Sequence, residues 1–527
     1  MNDVWLFPLA PALLFWAGAL ATMLTTRLLR RGERWTGLAT VGAVFALLAV
    51  RVALKKTSGF AEPPLVLAPW GTGDGLTIRL DGMGVAFLFV PVLLLAASLW
   101  GRQMERPAFW LALAGSAASV FVAANGIGFS YALLLFDVLG GAYWLGLRRP
   151  NLALHRLLLA IFTATALMTA GLGAATTGGA LLAFALWLRI CLLPFAEISA
   201  WGEEGLCRPA PSARCGEPMV WLALSTLIGL YAAARLLTVP APGWVQGLAA
   251  SLVLLNGGLA WLGGEGAGER DRRVRLLRLV LTQPALAFFL TPLPAGTAIA
   301  LGLGYTLALG ALWLTPPLGR PNVFERHWLW IYGAPLLATA SLAGVPFTLG
   351  WAAHRRVYES LLQQGQTSLL TLLLLAEGLA FSALFAAWRY LLSRPEKTET
   401  SLQTALLLTI PFLLPGLAGL VFGVITGLPF EAAGGGVSAE GAAWPAMVWG
   451  LAAVLGLGRR AILRGLQLSP PALARGLSLG WLWPPLQRLA VAFDRGLLRL
   501  KAVLEGEHYL GWAFLLTLTG ILVVILS

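Results

Sequence analysis

The chain is a long succession of apolar runs, each about as long as a bilayer is thick and carrying hardly a charge. A helix needs about 20 mostly apolar residues to cross the hydrocarbon core. Such runs fall at roughly 4–29, 35–54, 80–101, 107–125, 128–147, 153–175, 180–198, 218–237, 244–263, 275–292, 296–315, 328–347, 349–364, 368–392, 404–427, 442–458 and 509–526. Some are short enough to be broken or half-length helices, so the length rule predicts about 14 to 16 spans. Strands of a transmembrane barrel are about 10 residues long and alternate in polarity, which these runs do not. The predicted fold is an all-α polytopic membrane protein. Composition agrees, since 58% of the 527 residues are hydrophobic and only 12% are charged, too little for a soluble chain.

A formal net charge of +13 would suit nucleic acid, but its distribution argues against that partner. Arg27, Arg30, Arg31 and Arg34 follow the first run, Arg102 and Arg106 the third, and Arg148, Arg149 and Arg156 the fifth. These alternate connections are the ones the positive-inside rule assigns to the cytoplasm, which puts the N-terminus, with Asp3 and no basic cluster, outside. Arg51, Lys55 and Lys56 run against this count, though they open a longer connection where the rule binds less. The partner so implied is the lipid bilayer, with a bacterial inner (plasma) membrane as the expected location. The first run is too long for a signal peptide and lacks a basic n-region and a small-residue cleavage site, so it reads as retained. Cys191, Cys207 and Cys215 form no close pair, which indicates neither a disulfide framework nor a metal site.

Few segments interrupt the apolar body. The connection from Lys55 to Arg79 is rich in Gly and Pro and reads as an external excursion, while Gly264 to Arg278 gathers charges in a cytoplasmic or interfacial turn. From about Pro470 to Glu507, Arg475, Arg488, Arg495, Arg499 and Lys501 alternate with Trp481, Trp483, Leu489, Phe493 and Leu497. That is the pattern of an amphipathic helix lying on the membrane or against a neighbouring subunit, ahead of a last span.

Charges inside spans are costly and usually face a bundle interior or a hydrated path. Asp137 stands mid-run between Phe136 and Val138. It is either a neutral acid bonded to a backbone carbonyl or the partner of a cation. Arg189 cannot shed its proton, so it must be paired or hydrated, and an Asp137–Arg189 ion pair would satisfy both groups. Glu197 follows Pro194-Phe195, where a helix is expected to break, and reads either as a solvated loop end or as a functional acid. His354, beside Arg355 and Arg356, is either a surface group or a side chain that titrates near neutrality inside the bundle. Glu377 lies in the apolar run Leu369 to Phe385 with no sequence neighbour to pair it, so it faces another helix or a partner protein.

Several motifs in ordered succession, over about residues 75 to 395, resemble the antiporter-like membrane subunits of respiratory complex I. That family is shared with Mrp-type cation/proton antiporters and membrane-bound hydrogenases. Ile78-Arg79-Leu80-Asp81-Gly82-Met83 resembles the opening of the family's third helix. Phe136-Asp137-Val138 stands where the family has Trp-Glu-Leu, so Asp137 falls on its helix-five glutamate. Arg189-Ile190-Cys191-Leu192-Leu193-Pro194-Phe195-Ala196 resembles Lys-x-Pro-x-x-Pro-Phe-His, which sets Arg189 on the helix-seven lysine. Ala210-Pro211-Ser212-Ala213 and Gly229-Leu230-Tyr231 through Arg235 resemble two further motifs. Ser341-Leu342-Ala343-Gly344-Val345-Pro346 with Gly350-Trp351 resembles the Leu-Ala-Gly-Ile-Pro-x-x-x-Gly-Phe signature, and places His354 on the charged residue of the distal half-channel.

The resemblance implies two inverted five-helix repeats with broken helices at their centres. It divides the chain into N-terminal helices and an external loop (1–75), an antiporter-like core (76–395), additional helices (396–460), and a lateral amphipathic helix with a C-terminal span (461–527). It implies ion translocation through Asp137, Arg189 and His354, with Glu197, Glu377 and Tyr305 as accessory groups. Other membrane subunits of a multisubunit complex would be the partners. No cofactor site or catalytic motif is legible, so electron transfer would belong to those partners. The sequence also departs from the family, because Trp221 and Leu227 stand at its helix-eight histidine and lysine, and Tyr305 and Leu309 at helix eleven. A lysine relay can release a proton, whereas arginine keeps its charge. Two further readings follow: a degenerate scaffold subunit that conducts nothing, and a lipid-modifying enzyme using Glu197, Glu203 and Glu204 near Trp201.

Overall fold

Apolar runs lacking water as a hydrogen-bond partner must satisfy their backbone internally, and here they do so as helices. The computed structural model describes residues 8–28, 32–55, 65–67, 76–100, 104, 106–146, 150–171, 175–190, 216–237, 242–262, 286–290, 293–313, 328–345, 348–393 and 439–465, with 488 and 492. Met1–Ile462 and Leu463–Ser527 form two compact units, and the description below concerns the first. Its helices are α1 (Ala10–Leu28), α2 (Glu33–Lys55), α3 (Gly82–Trp100), α4 (Pro107–Val122), α5 (Gly126–Gly146), α6 (Pro150–Gly171) and α7 (Ala175–Arg189). They continue with α8 (Gly216–Leu236), α9 (Gly243–Leu262), α10 (Ala295–Trp313), α11 (Trp328–Leu342), α12 (Leu349–Gln363), α13 (Thr367–Ser393) and α14 (Ala439–Gly465).

Short polar side chains start these helices. Asp81 Oδ1 accepts from Gly84 N at 2.9 Å ahead of α3, and Asn125 Oδ1 accepts from Gly128 N at 2.9 Å ahead of α5. Thr348 accepts from Trp351 N at the head of α12. Each such cap contributes about 1 kcal/mol by satisfying an otherwise orphaned amide. Inside the helices, hydroxyls bond back one turn, as Thr22 does to the Gly18 carbonyl and Thr163 to the Leu159 carbonyl. This spares the bilayer interior an unsatisfied polar atom.

In the packing order, α5 lies on α6, α6 on α7, α7 on α8 and α8 on α10; α10 in turn meets α11 and α12, while α9 lies along α13. A node of polar contacts joins the ends of three of these helices. Arg235 at the end of α8 bonds Asp81, and Arg235 Nε donates to Tyr231 OH at 3.3 Å. Tyr231 OH donates in turn to the Phe121 carbonyl at 2.7 Å, near the end of α4.

The structure adds detail to the sequence reading in the connection after α2 and in the short helices, and corrects it at Arg156 and Arg51. The connection after α2, read as an external excursion, holds some regular structure. Strands β1 (Leu65–Leu67) and β2 (Leu76–Ile78) pair antiparallel within it, the short β-favouring runs Leu-Val-Leu and Leu-Thr-Ile being bounded by Pro and Gly. The separate runs 328–347 and 349–364 form two helices, the first ending at Leu342. At 1.5 Å per residue the 15-residue helices α7, α11 and α12 span only about 22 Å, short of a bilayer core of about 30 Å. Arg156, counted above among loop charges, is 5% exposed within α6, because Pro150 starts that helix before it. Arg51 is likewise buried in α2.

Among the described residues four helical stretches have the length and hydropathy to cross a membrane: Glu33–Ala53, Gly82–Trp100, Gly126–Gly146 and Gly243–Leu262. Shorter apolar helices accompany them. The expected spans 404–427 and 509–526, the amphipathic segment apart from residues 488 and 492, and Glu197 lie outside the described residues.

Candidate functional site

The first charge cluster forms where a short helix stops against a long one. Asp137 stands about midway along α5 and is 1% exposed. Arg189 ends α7, and its guanidinium grips Asp137 in a fork, Nη1 to Oδ1 at 3.1 Å and Nη2 to Oδ2 at 2.6 Å. Both side chains are fully buried, and Arg189 Nη2 also reaches Thr163 on α6 at 3.3 Å. A cation in the last turn of a helix faces the negative end of its dipole, a second favourable term. The orphaned Arg189 carbonyl accepts from Ser225 Oγ of α8 at 3.3 Å. The expected ion pair is present, and in the bidentate geometry that arginine makes best.

A second arginine joins it. Arg156 Nη1 lies 4.0 Å from Asp137 Oδ1 and donates to Ser225 Oγ at 2.9 Å. Its guanidinium sits 4.6 Å over the Trp221 ring. Trp221 stacks on Phe136 at 5.1 Å and 13°, and Trp144 meets it edge-on. It fits because residue 140 is glycine, since a Cβ there would collide with the indole ring. A desolvated cation–π contact is worth about 2 kcal/mol. Asp137 thus has two arginines around it, and the aromatic face of Trp221 supports the second. Trp221 and Ser225 are one turn apart, so a single stripe of α8 covers the cluster. Leu227, further along α8, is fully buried.

The second cluster also follows a helix break. Beyond α11 the chain turns at Gly344, whose φ of 65° is the left-handed conformation glycine adopts without strain. Thr348 then opens α12. His354, 1% exposed, places Nδ1 at 2.9 Å from Glu377 Oε1 of α13 and at 3.2 Å from Tyr358 OH. Tyr358 OH donates to Glu377 Oε2, so acid, imidazole and phenol form one closed group. Glu377 is 3% exposed. Of its two expected situations it therefore takes the first, facing another helix, and His354 is a buried group rather than a surface one. Its neighbour Arg355 is paired one turn on with Glu359 at 2.6 Å.

The remaining expected residues are dispersed. Tyr305 is buried on α10, at 2% exposure, and Leu309 follows it on the same helix. Among the described residues no three His, Cys, Asp or Glu side chains converge to hold a metal ion. The sequence reading missed Arg156, Thr163, Ser225 and Tyr358. Tyr358 was legible as the residue one turn after His354, whereas Ser225 and Thr163 meet the cluster only through helix packing.

Two buried clusters of ionisable side chains sit among the apolar helices of this bundle, which is that of a polytopic membrane protein. No family model and no curated protein matches the sequence. Solved structures do match: a chain of the Mrp complex from Dietzia sp. DQ12-45-1b aligns with a TM-score of 0.60 at 16% identity, over 86% of this chain and 99% of that one. A chain of respiratory complex I from Thermus thermophilus with bound Aureothin aligns at 0.54 and 19%, over 81% and 100%. A chain of the membrane-bound sulfane sulfur reductase (MBS), an archaeal respiratory membrane complex, aligns at 0.60 and 13%, over 85% and 100%. The chain has the fold of these antiporter-like membrane subunits.

Proposed function

We propose that this chain is an antiporter-like membrane subunit of a complex I-like or related assembly, taking part in proton or Na+ translocation coupled to electron transfer by its partners. The observation that carries the reading is the pair of buried clusters, Asp137 with Arg189 and His354 with Glu377, each set at a helix break. Two such breaks are what two inverted repeats produce. In this reading Asp137, Arg189 and His354 are the charged stations, Arg156 tunes the first, and Tyr358 and Glu377 complete the second. Glu197 and Tyr305 are accessory. The core is 76–395, the N-terminus is outside a bacterial inner membrane, and the chain holds no redox centre of its own.

A scaffold that conducts nothing is the second reading, and α8 favours it. Trp221 and Leu227 are both buried apolar groups where a relay would need exchangeable ones, and both cations around Asp137 are arginines. Ion uptake into vesicles holding the intact assembly separates the two. Asp137→Asn, Arg189→Ala and His354→Gln, compared at equal assembly, are each expected to lower uptake. Unchanged uptake in all three leaves the scaffold. A chain that extracts from the membrane without partners removes both readings.

A further inference from the structure

Helix α14 belongs to neither cluster, yet it meets the turn beside His354 and the residue that follows Glu377. Trp449 Nε1 donates to the Ala343 carbonyl at 2.7 Å, just beyond the end of α11, where helical partners for carbonyls have run out. The next residue is Gly344, and a Cβ on it would stand 3.9 Å from His354 Cγ. The imidazole therefore lies against the turn that Trp449 holds. Across the cluster, a Cβ on Gly378 would come within 2.7 Å of Leu451 Cδ2, and Gly378 directly follows Glu377. Residues two apart on a helix point to different sides, so α14 is wedged between the turn under His354 and the helix that carries Glu377. Trp261 Nε1 of α9 donates to the Leu455 carbonyl at 3.2 Å and anchors α14 further along.

We infer that Trp449 is a positioning residue for the His354–Glu377 cluster, holding the α11–α12 turn so that the imidazole meets the carboxylate. The effect on transport rests on the function proposed above, whereas the positioning does not. Trp449→Phe keeps a ring and removes only the donor. The test uses the full chain in its assembly, with histidine-selective 15N label in this chain alone, which reads four imidazoles. His354→Gln assigns the signal. In Trp449→Phe the His354 signal is expected to move while those of His155, His327 and His508 stay, and ion uptake to fall on the order of fivefold, the equivalent of one hydrogen bond. A His354 signal that superposes on the wild type overturns the inference. A moved signal with uptake unchanged leaves the positioning standing and removes the translocation role of the second cluster. If Trp449→Phe does not assemble, Leu451→Ala takes its place, and it must move the same signal through Glu377 or the inference falls.

Discussion

The two clusters solve the same problem, a charge inside a membrane bundle, with opposite chemistry. The first sets two arginines, cations that do not release their protons, around one carboxylate, and lines the second arginine with an indole ring. The second joins an imidazole, a carboxylate and a phenol, with a single histidine as its cation. Fixed charges are worth most to stability, because a broken buried pair leaves an uncompensated ion. Exchangeable ones are worth most to transport. In the function proposed above, the first cluster supplies fixed charged stations and the second exchangeable ones.

The largest test of that contrast is Asp137→Leu. It strands two buried arginines and is expected to cost about 3–5 kcal/mol, measured as denaturant unfolding in detergent or as loss of assembly. A cost below that of the second-cluster variant would reverse the contrast. Next comes Gly140→Ala, whose methyl collides with Trp221 and pushes it off Arg156, at about 1–3 kcal/mol by the same measurement. Glu377→Gln keeps the shape of the second cluster and removes its charge. Its stability should fall by only about 1 kcal/mol, the scale of one hydrogen bond, while ion uptake drops at least tenfold. Equal losses of stability at positions 137 and 377 would make both clusters structural. The smallest effect is expected at the part-exposed node: Asp81→Asn should cost under about 1 kcal/mol and leave uptake unchanged.

Much of the first cluster was legible, and the reason is covalent order. Asp137 and Arg189 are ionisable groups set in apolar runs, and each then needs the other. α7 ends at Arg189, five residues ahead of Pro194. Glu377 was harder, because its partner lies on α12 and nothing in its own run points there. Arg156 was misread since distance from the preceding apolar run was taken for exposure. Only the start of α6 at Pro150 and the packing of α6 on α5 and α7 turn that side chain inward.

By itself the sequence determined the helical membrane class, the approximate runs and the positions of the charges, since length, hydropathy and proline act along the chain. The tertiary structure decided which charges meet. It closed Asp137 between two arginines, gave Glu377 to His354 and Tyr358, filled the space beside Gly140 with Trp221, and brought Trp449 to Ala343. Each of these depends on the rotation and neighbours of whole helices. Those are set by packing among apolar faces nearly alike in composition, so no local pattern in the chain specifies them.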